Sequence, residues 1–366
     1  MHRTMRARHP AAIATCLFTV AACGSAVAVV PHSTARPVAL RWSADPPKST
    51  ATPAPTATPT ATPPATVTLL PASTQRPRST PGPITLHSGG GPSIGGCAVF
   101  PSTNAWNQDI SKTPLDPNSA AYVARIDSFR QFLHADFGSN PSYGIPYIVV
   151  PGSQSRVPIT FTAYGSESDP GPYPVPLNAP VEAGSDAHVL VVDSGNCHLY
   201  EMYGAHQRGG GWDAASGAVF DLGSNALRPD TWTSADAAGL PILPGLARYD
   251  EVAAGVINHA LRFTVDQSQN GFIHPATHQA GVANASDPPM GARFRLRASF
   301  DLAPYHGEAL VILTALKRYG MIVADNGSSW YVSGATDSRW NDTDLNQLKS
   351  VPGNAFEAVA TGPIQR

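Results

Sequence analysis

Residues 188–203 read HVLVVDSGNCHLYEMY. Two runs, 188–193 and 198–203, are rich in Val, Leu and Tyr, and a Ser-Gly-Asn segment separates them, which is how strands are punctuated. In the second run apolar and polar residues alternate, and the same holds for Arg293-Phe294-Arg295-Leu296-Arg297, so strands with one wet face are expected. Further β-rich runs stand at 145–150, 157–163, 218–222, 259–265 and 294–300, each bounded by Gly, Pro, Asn or Asp. Runs at 321–325 and 330–333 are expected to form a hairpin around Asn326-Gly327.

Helical signals are fewer. Asp116-Pro117-Asn118-Ser119 offers a cap and a first-turn Pro, and Tyr122, Ile126, Phe129 and Leu133 follow at helical spacing. The segment 308–319 has an acid in its first turn, Lys317-Arg318 in its last and Gly320 at the left-handed cap position. A short helix is expected at 342–349. Strands that do not alternate regularly with helices predict a mainly-β (α+β) domain, a β-sandwich or jelly-roll-like fold with two or three peripheral helices. No fixed-period repeat supports a propeller or solenoid.

Outside this domain the chain changes character. Of the 366 residues, 24 are Lys or Arg and 26 are Asp or Glu. Residues 1–96 hold eight of the basic residues and one acid, leaving 16 basic and 25 acidic residues for 97–366. So acidic a body repels phosphate backbones, and nucleic acid is not an expected partner. Residues 1–10 carry Arg3, Arg6 and Arg8 and precede an apolar run at 11–22, the layout of a signal peptide. Val20-Ala21-Ala22-Cys23 resembles the lipobox of bacterial lipoproteins, making Cys23 the expected lipid anchor to a membrane. An ordinary cleavable signal is the competing reading. Residues 24–90 contain 13 Pro and 12 Thr and no periodic apolar face, so 24–96 reads as a disordered stalk and 97–366 as one globular domain. The protein is therefore expected to be exported, to the cell membrane or outer envelope, or else secreted. Cys97 and Cys197 are the two cysteines of the globular part and are expected to form a disulfide; a Cys/His metal site with His198 lacks CxxC spacing.

The segments HADFG (134–138), SDPGPYP (168–174), HVLVVD (188–193), 227–252, NHALRFTV (258–265), PPMGARFRLRASFD (288–301), ALKRYGMIVADNGSSWYVSG (315–334) and RWND (339–342) together resemble a family of exported bacterial lipoprotein-like proteins of unassigned role. The resemblance spans most of 97–360. It implies an exported single domain and carries no catalytic residues across.

Candidate chemistry comes from residue types. On a strand, His259 and Arg262 point to opposite faces, so they do not act as a pair from that strand. His274 and His278 have metal-like spacing but lie around Pro275, and 342–346 begins like a calcium loop without its glycine or its final acid. No metal site or cofactor is expected. The 23-residue, Pro-rich segment 165–187 carries Glu167, Asp169, Glu182 and Asp186 and has the length of a binding loop. Trp212, Trp232, Trp330 and Trp340, with Arg339 and Asp169 nearby, suit sugars if their ring faces are exposed. Glycoside hydrolysis needs two carboxyl groups, for which Asp325, Glu201, Asp221 and Asp169 are available. A polysaccharide lyase needs a base and a cation, for which His188, His259 and Arg262 serve. The expected activity is on a carbohydrate polymer, by a glycoside hydrolase or lyase, and the alternative is a non-catalytic envelope carbohydrate-binding or adhesion module.

Overall fold

A computed structural model describes residues 92–366, Arg130 and the Phe129 side chain excepted. The leader, Cys23 and the stalk through residue 91 lie outside the described residues. The fold is mainly β, with strands in several sheets and a few helices, as the sequence predicts.

The 188–203 stretch forms its centre. Strands Val189–Asp193 and His198–Tyr203 pair antiparallel, with Leu190 opposite Glu201 and Val191 opposite Tyr200. Asp193 makes the turn by accepting the N–H groups of Gly195 and Asn196 at 3.0 and 3.1 Å. The hairpin lies inside a four-stranded sheet between Ser216–Asp221 and Tyr147–Val150. The expected wet face is not there. Leu190, Val192 and Leu199 enter the larger core, while Val189, Val191, Tyr200 and Met202 enter a second core. Trp212 and Ala214, from a three-stranded sheet of Ile159–Phe161, Gly211–Ala214 and His206–Arg208, cover that second face. Alternation here sorts side chains between two cores, which binary patterning alone does not distinguish from core and water. Arg293 departs from expectation in the same way: it is buried, and its guanidinium donates to the Tyr319 carbonyl at 2.8 Å.

The larger core is shared with a six-stranded sheet in the order Phe356–Val359, Arg293–Leu296, Met321–Asn326, Leu261–Val265, Tyr331–Val332, His134–Ala135. Helix Gly307–Arg318 packs Ala309, Ile312, Leu313 and Leu316 into it. The expected hairpin at Asn326-Gly327 does not form. Tyr331–Val332 pairs with Leu261–Val265, on the side away from Met321–Asn326. The N–H of Gly327 donates to the Val265 carbonyl and that of Trp330 to the Thr264 carbonyl, folding 327–330 across the strand end. This crossing lets Trp330, wholly buried, pack on Phe263, Phe294 and Phe356.

The first helix, Ser119–Ile126, is shorter than the apolar spacing suggests. Beyond its 3-10 extension Asp127–Phe129 the backbone is diverted, and Leu133 donates its N–H to the Val351 carbonyl. Near the C-terminus Asp342–Asn346 is helical. Asp342 there accepts from the Ser139 N–H and hydroxyl, a loop brace. Cys97 and Cys197 are disulfide-bonded with Cα atoms 5.4 Å apart, tying the first strands to the turn of the central hairpin.

Candidate functional site

Parallel strands Leu261–Val265 and Met321–Asn326 run in register from Leu261 and Met321, then slip between Phe263 and Thr264, so that Thr264 faces Asp325. A bulge of this kind re-aims the side chain beside it. Asp325 thereby comes to line two adjoining cavities, of about 400 and 240 Å3.

Around Asp325 the fold gathers charges from four segments. Arg262, from the neighbouring strand, is buried and donates in bidentate fashion to Asp236, from Nε at 3.1 Å and Nη2 at 2.8 Å. Its Nη1 donates to Ser333 Oγ at 2.5 Å. Burial opposes the guanidinium charge, but Asp236 outweighs it and the pKa rises. His188, at the edge of the central hairpin, places Nδ1 2.6 Å from Glu182 and Nε2 3.0 Å from the Ala235 carbonyl oxygen. Both neighbours are acceptors, so both ring nitrogens carry protons and the ring is an imidazolium. Burial alone would lower the His188 pKa, yet the hydrogen bond and charge of Glu182 raise it. Glu182 is correspondingly held below the usual range despite its own desolvation.

Among the described residues no cation is in hydrogen-bonding contact with Asp325; its carboxylate accepts the N–H of Asn326 at 2.7 Å. Desolvation first, and the Asp236 charge second, push its pKa up to about 7, against the opposing pull of Arg262, the Asn326 N–H and His188. Asp136, a solvent-accessible residue of the 400 Å3 cavity wall, is also raised by desolvation. Asp186 lies beside Asp325 on the walls of both cavities. A third cavity, of about 450 Å3, adjoins the 400 Å3 one through shared walls at Asp136, Tyr143 and Tyr331. The three share lining residues, their walls carry Asp136, Glu182, Asp186, Asp325 and Asp342, and Asp325 stands where two of them meet; together they are termed the groove. Among the described residues no group of three His, Cys, Asp or Glu side chains has metal-binding geometry.

The structure thus brings together Asp325, His188 and Arg262 with Glu182 and Asp186 of the 165–187 segment, all singled out in the sequence. It separates the rest. Glu201 lies within the core, with no exposed surface, and accepts the N–H groups of Ile242 and Leu243 at 2.9 Å. Desolvation raises it to about 7, but it lines none of the three groove cavities, and it braces the 3-10 turn Leu243–Gly245 instead. Asp221 is exposed at a strand end and accepts the Gly223 N–H. His259 is buried between Glu251 and the Ala260 carbonyl. Asp169 is paired with Arg228 and accepts the Val219 N–H at 2.8 Å. His274 and His278 bond to different partners, Asp230 and the Ala237 carbonyl.

The expected tryptophan platform is not formed. Trp212, Trp330 and Trp340 are buried, where their large apolar areas contribute most to packing. Trp340 is further fixed by donating Nε1–H to the Ala335 carbonyl. Trp232 is half-exposed but covered by the Arg228 guanidinium, 5.7 Å above its ring. Arg339 is paired with Asp337 and lies over Tyr249. Tyr143, Tyr331, Tyr164 and Tyr203 line the groove instead, with the buried Phe137 in the wall of the 450 Å3 cavity. Sequence reasoning passed over them, as it did Asp136 and Asp236. Glu182 and Asp186 lie in the 165–187 segment whose length had marked it as a binding loop. Comparison of the chain with family models, curated proteins and solved structures returns no match.

Proposed function

We propose that this is an extracytoplasmic, lipid-anchored protein that acts on a carbohydrate polymer, and that the groove hydrolyses glycosidic bonds with Asp325 as proton donor. The observation that carries the reading is the Asp325 carboxyl, half-buried at the junction of two cavities and titrating near pH 7. An acid that keeps its proton near neutrality is what protonation of a glycosidic oxygen requires. Asp136 and Asp186 are the carboxyl groups of the same groove available to activate water or attack the sugar carbon; the separation of the working pair sets inversion or retention. Hydrolysis is favoured over lyase chemistry at Asp325 because Arg262, the guanidinium in the walls of the cavities that Asp325 lines, is already committed to Asp236 and Ser333, while Lys349 lines only the third cavity. A lyase acting on uronates needs a cation free to meet the substrate carboxylate. The export address rests on the leader and the Cys23 motif, and loss of membrane partitioning in Cys23→Ser is its test.

The deciding experiment incubates the purified mature chain with neutral and acidic polysaccharides and follows reducing ends together with the absorbance of unsaturated uronates. New reducing ends without the absorbance, abolished in Asp325→Asn, are expected. Reducing ends with the absorbance indicate a lyase, and retention on a polymer without either product indicates a binding module.

A further inference from the structure

Cavities extend from Asp325 in two directions, and they are unequal. One side offers about 240 Å3, lined by Tyr164 and Tyr203, while the other offers about 400 and then about 450 Å3, lined by Tyr331 and Tyr143. A site for a chain end or a disaccharide needs no such continuation beyond the reacting group. Resting on the glycoside reading above, we propose that Tyr331 and Tyr143 form sugar-binding subsites of an interior-cleaving polymer groove, with its longer arm on their side of Asp325.

Two features make these rings a prepared surface. Tyr331 stands on the short strand Tyr331–Val332, in register with His134 on the adjacent strand, and the two rings stack with centroids 4.5 Å apart and planes 6° from parallel. Burial, with help from the Lys349 charge, lowers the His134 pKa and so disfavours charge on the ring that braces Tyr331. Tyr143 is 56% exposed, yet its backbone is pinned. Thr336 Oγ1 donates to the Tyr143 carbonyl at 3.2 Å and the Ile145 N–H to the Gly334 carbonyl at 3.0 Å. Between them Gly144 has φ +80°, and a Cβ there would lie 2.9 Å from the Gly334 carbonyl oxygen, so this turn requires glycine. The Tyr331 ring, held by its stack on His134, and the pinned Tyr143 backbone both reduce the freedom lost when a sugar face packs on them, which is how aromatic residues give affinity at low entropic cost. Trp212, Trp330 and Trp340 are in the core and Trp232 is covered by Arg228, and these tyrosines take over the role.

The test uses cello-, xylo-, laminari- and chito-oligosaccharides graded from disaccharide to octasaccharide, with the full mature protein. kcat/KM is expected to rise with length beyond the trisaccharide. Tyr331→Ala and Tyr143→Ala are each expected to remove about ten-fold of that gain, chiefly through KM, with the loss growing as the substrate lengthens. Tyr331→Phe keeps the ring and is expected to behave as wild type. Tyr143, being exposed, is a variant whose folding is not at risk. Cleavage with no length dependence, or equal losses on the shortest and longest substrates, overturns the subsites and leaves the hydrolytic reading intact. Length-dependent binding by calorimetry, weakened in Tyr143→Ala but without cleavage, supports the subsites and overturns hydrolysis. Absence of both binding and cleavage across the ladders overturns both.

Discussion

Asp325→Asn separates the chemistry of this carboxyl from its cost to the fold. In the native protein Asp325 titrates near pH 7, against an ordinary value of 3.8. Because the folded value is raised, the stability linked to the proton is fully present below about pH 3.8 and is lost progressively until the folded group ionises near pH 7. A displacement of about three pH units corresponds to about 4 kcal/mol, and partial access to the cavity reduces this to about 2 kcal/mol through solvent screening. Asparagine is isosteric, still accepts the Asn326 N–H and carries no charge. The variant should therefore match wild type near pH 3.5, become progressively more stable from pH 4 to 7, and level off above pH 8 at a gain of about 2 kcal/mol, or roughly 4–8 °C in Tm. Urea or thermal unfolding at intervals of pH, followed by circular dichroism, reads this directly. Hydrolysis should at the same time fall by about 10²–10⁴, and the wild-type rate should decline as pH rises through 7. A stability difference independent of pH, or a variant less stable than wild type at pH 8, refutes the argument that burial holds the proton on Asp325.

Glu201→Gln keeps an acceptor for Ile242 and Leu243 but cannot ionise; it should gain stability above pH 7, match wild type below pH 4.5, and retain activity within a few-fold in the reducing-end assay. Glu182→Gln should lose about 2–3 kcal/mol in urea unfolding, mostly between pH 4.5 and 6.5. In that window both the lowered Glu182 value, whose benefit fails in acid, and the raised His188 value, whose benefit fails in base, contribute fully. Trp330→Ala should cost about 3–5 kcal/mol, while Trp232→Ala, which loses chiefly its contact with Arg228, should cost about 1 kcal/mol; similar costs in equilibrium unfolding would contradict their different burial. Asp236→Asn should move the alkaline limb of the pH–rate profile to lower pH by freeing the Arg262 charge to act on Asp325, and adding Arg262→Gln should move it back; an unmoved limb in the single variant excludes Asp236 as the positioning residue.

The strands were legible wherever apolar content was dense: 198–203 coincides with the observed strand, and 188–193, 218–222, 259–265 and 321–325 differ from theirs by a residue or two. What was not legible was which faces met water. Leu199, Tyr200, Glu201 and Met202 are all buried, and a lone acid in an alternating run reads as exposure because burial of an unpaired carboxyl is expensive. Here two backbone N–H groups reduce that cost, and they come from residues 242 and 243, some 40 positions away, where no local pattern announces them. The site shows the same limit. Asp325, Arg262 and His188 drew notice as residue types. Asp236 and Ser333, which complete the network, lie 26 and 71 residues from Arg262 and become its partners only through the sheet order. The tyrosines stayed unremarked because tryptophan is the stronger signal for sugar stacking, and burial of tryptophan cannot be read from its presence.

The network also explains why an acid can keep a proton within reach of two cations. Arg262 alone would draw Asp325 toward ordinary acidity, as would the imidazolium of His188. Each is bound first to an anion of its own: Arg262 to Asp236 through two hydrogen bonds, His188 to Glu182 through one. Viewed from Asp325, the negative member of the first pair weighs more than the positive one, since Asp236 raises its pKa more than Arg262 lowers it. The pairs therefore act as fixed dipoles rather than as free charges, and desolvation by the surrounding walls decides the outcome. On the proposed hydrolytic reading, a neutral substrate that fills the groove and expels water would strengthen both the desolvation and the Asp236 repulsion, so the proton would be held more firmly until a developing oxyanion on the leaving group accepts it. A free guanidinium in the same place would do the reverse, stabilising a carboxylate and leaving nothing to donate.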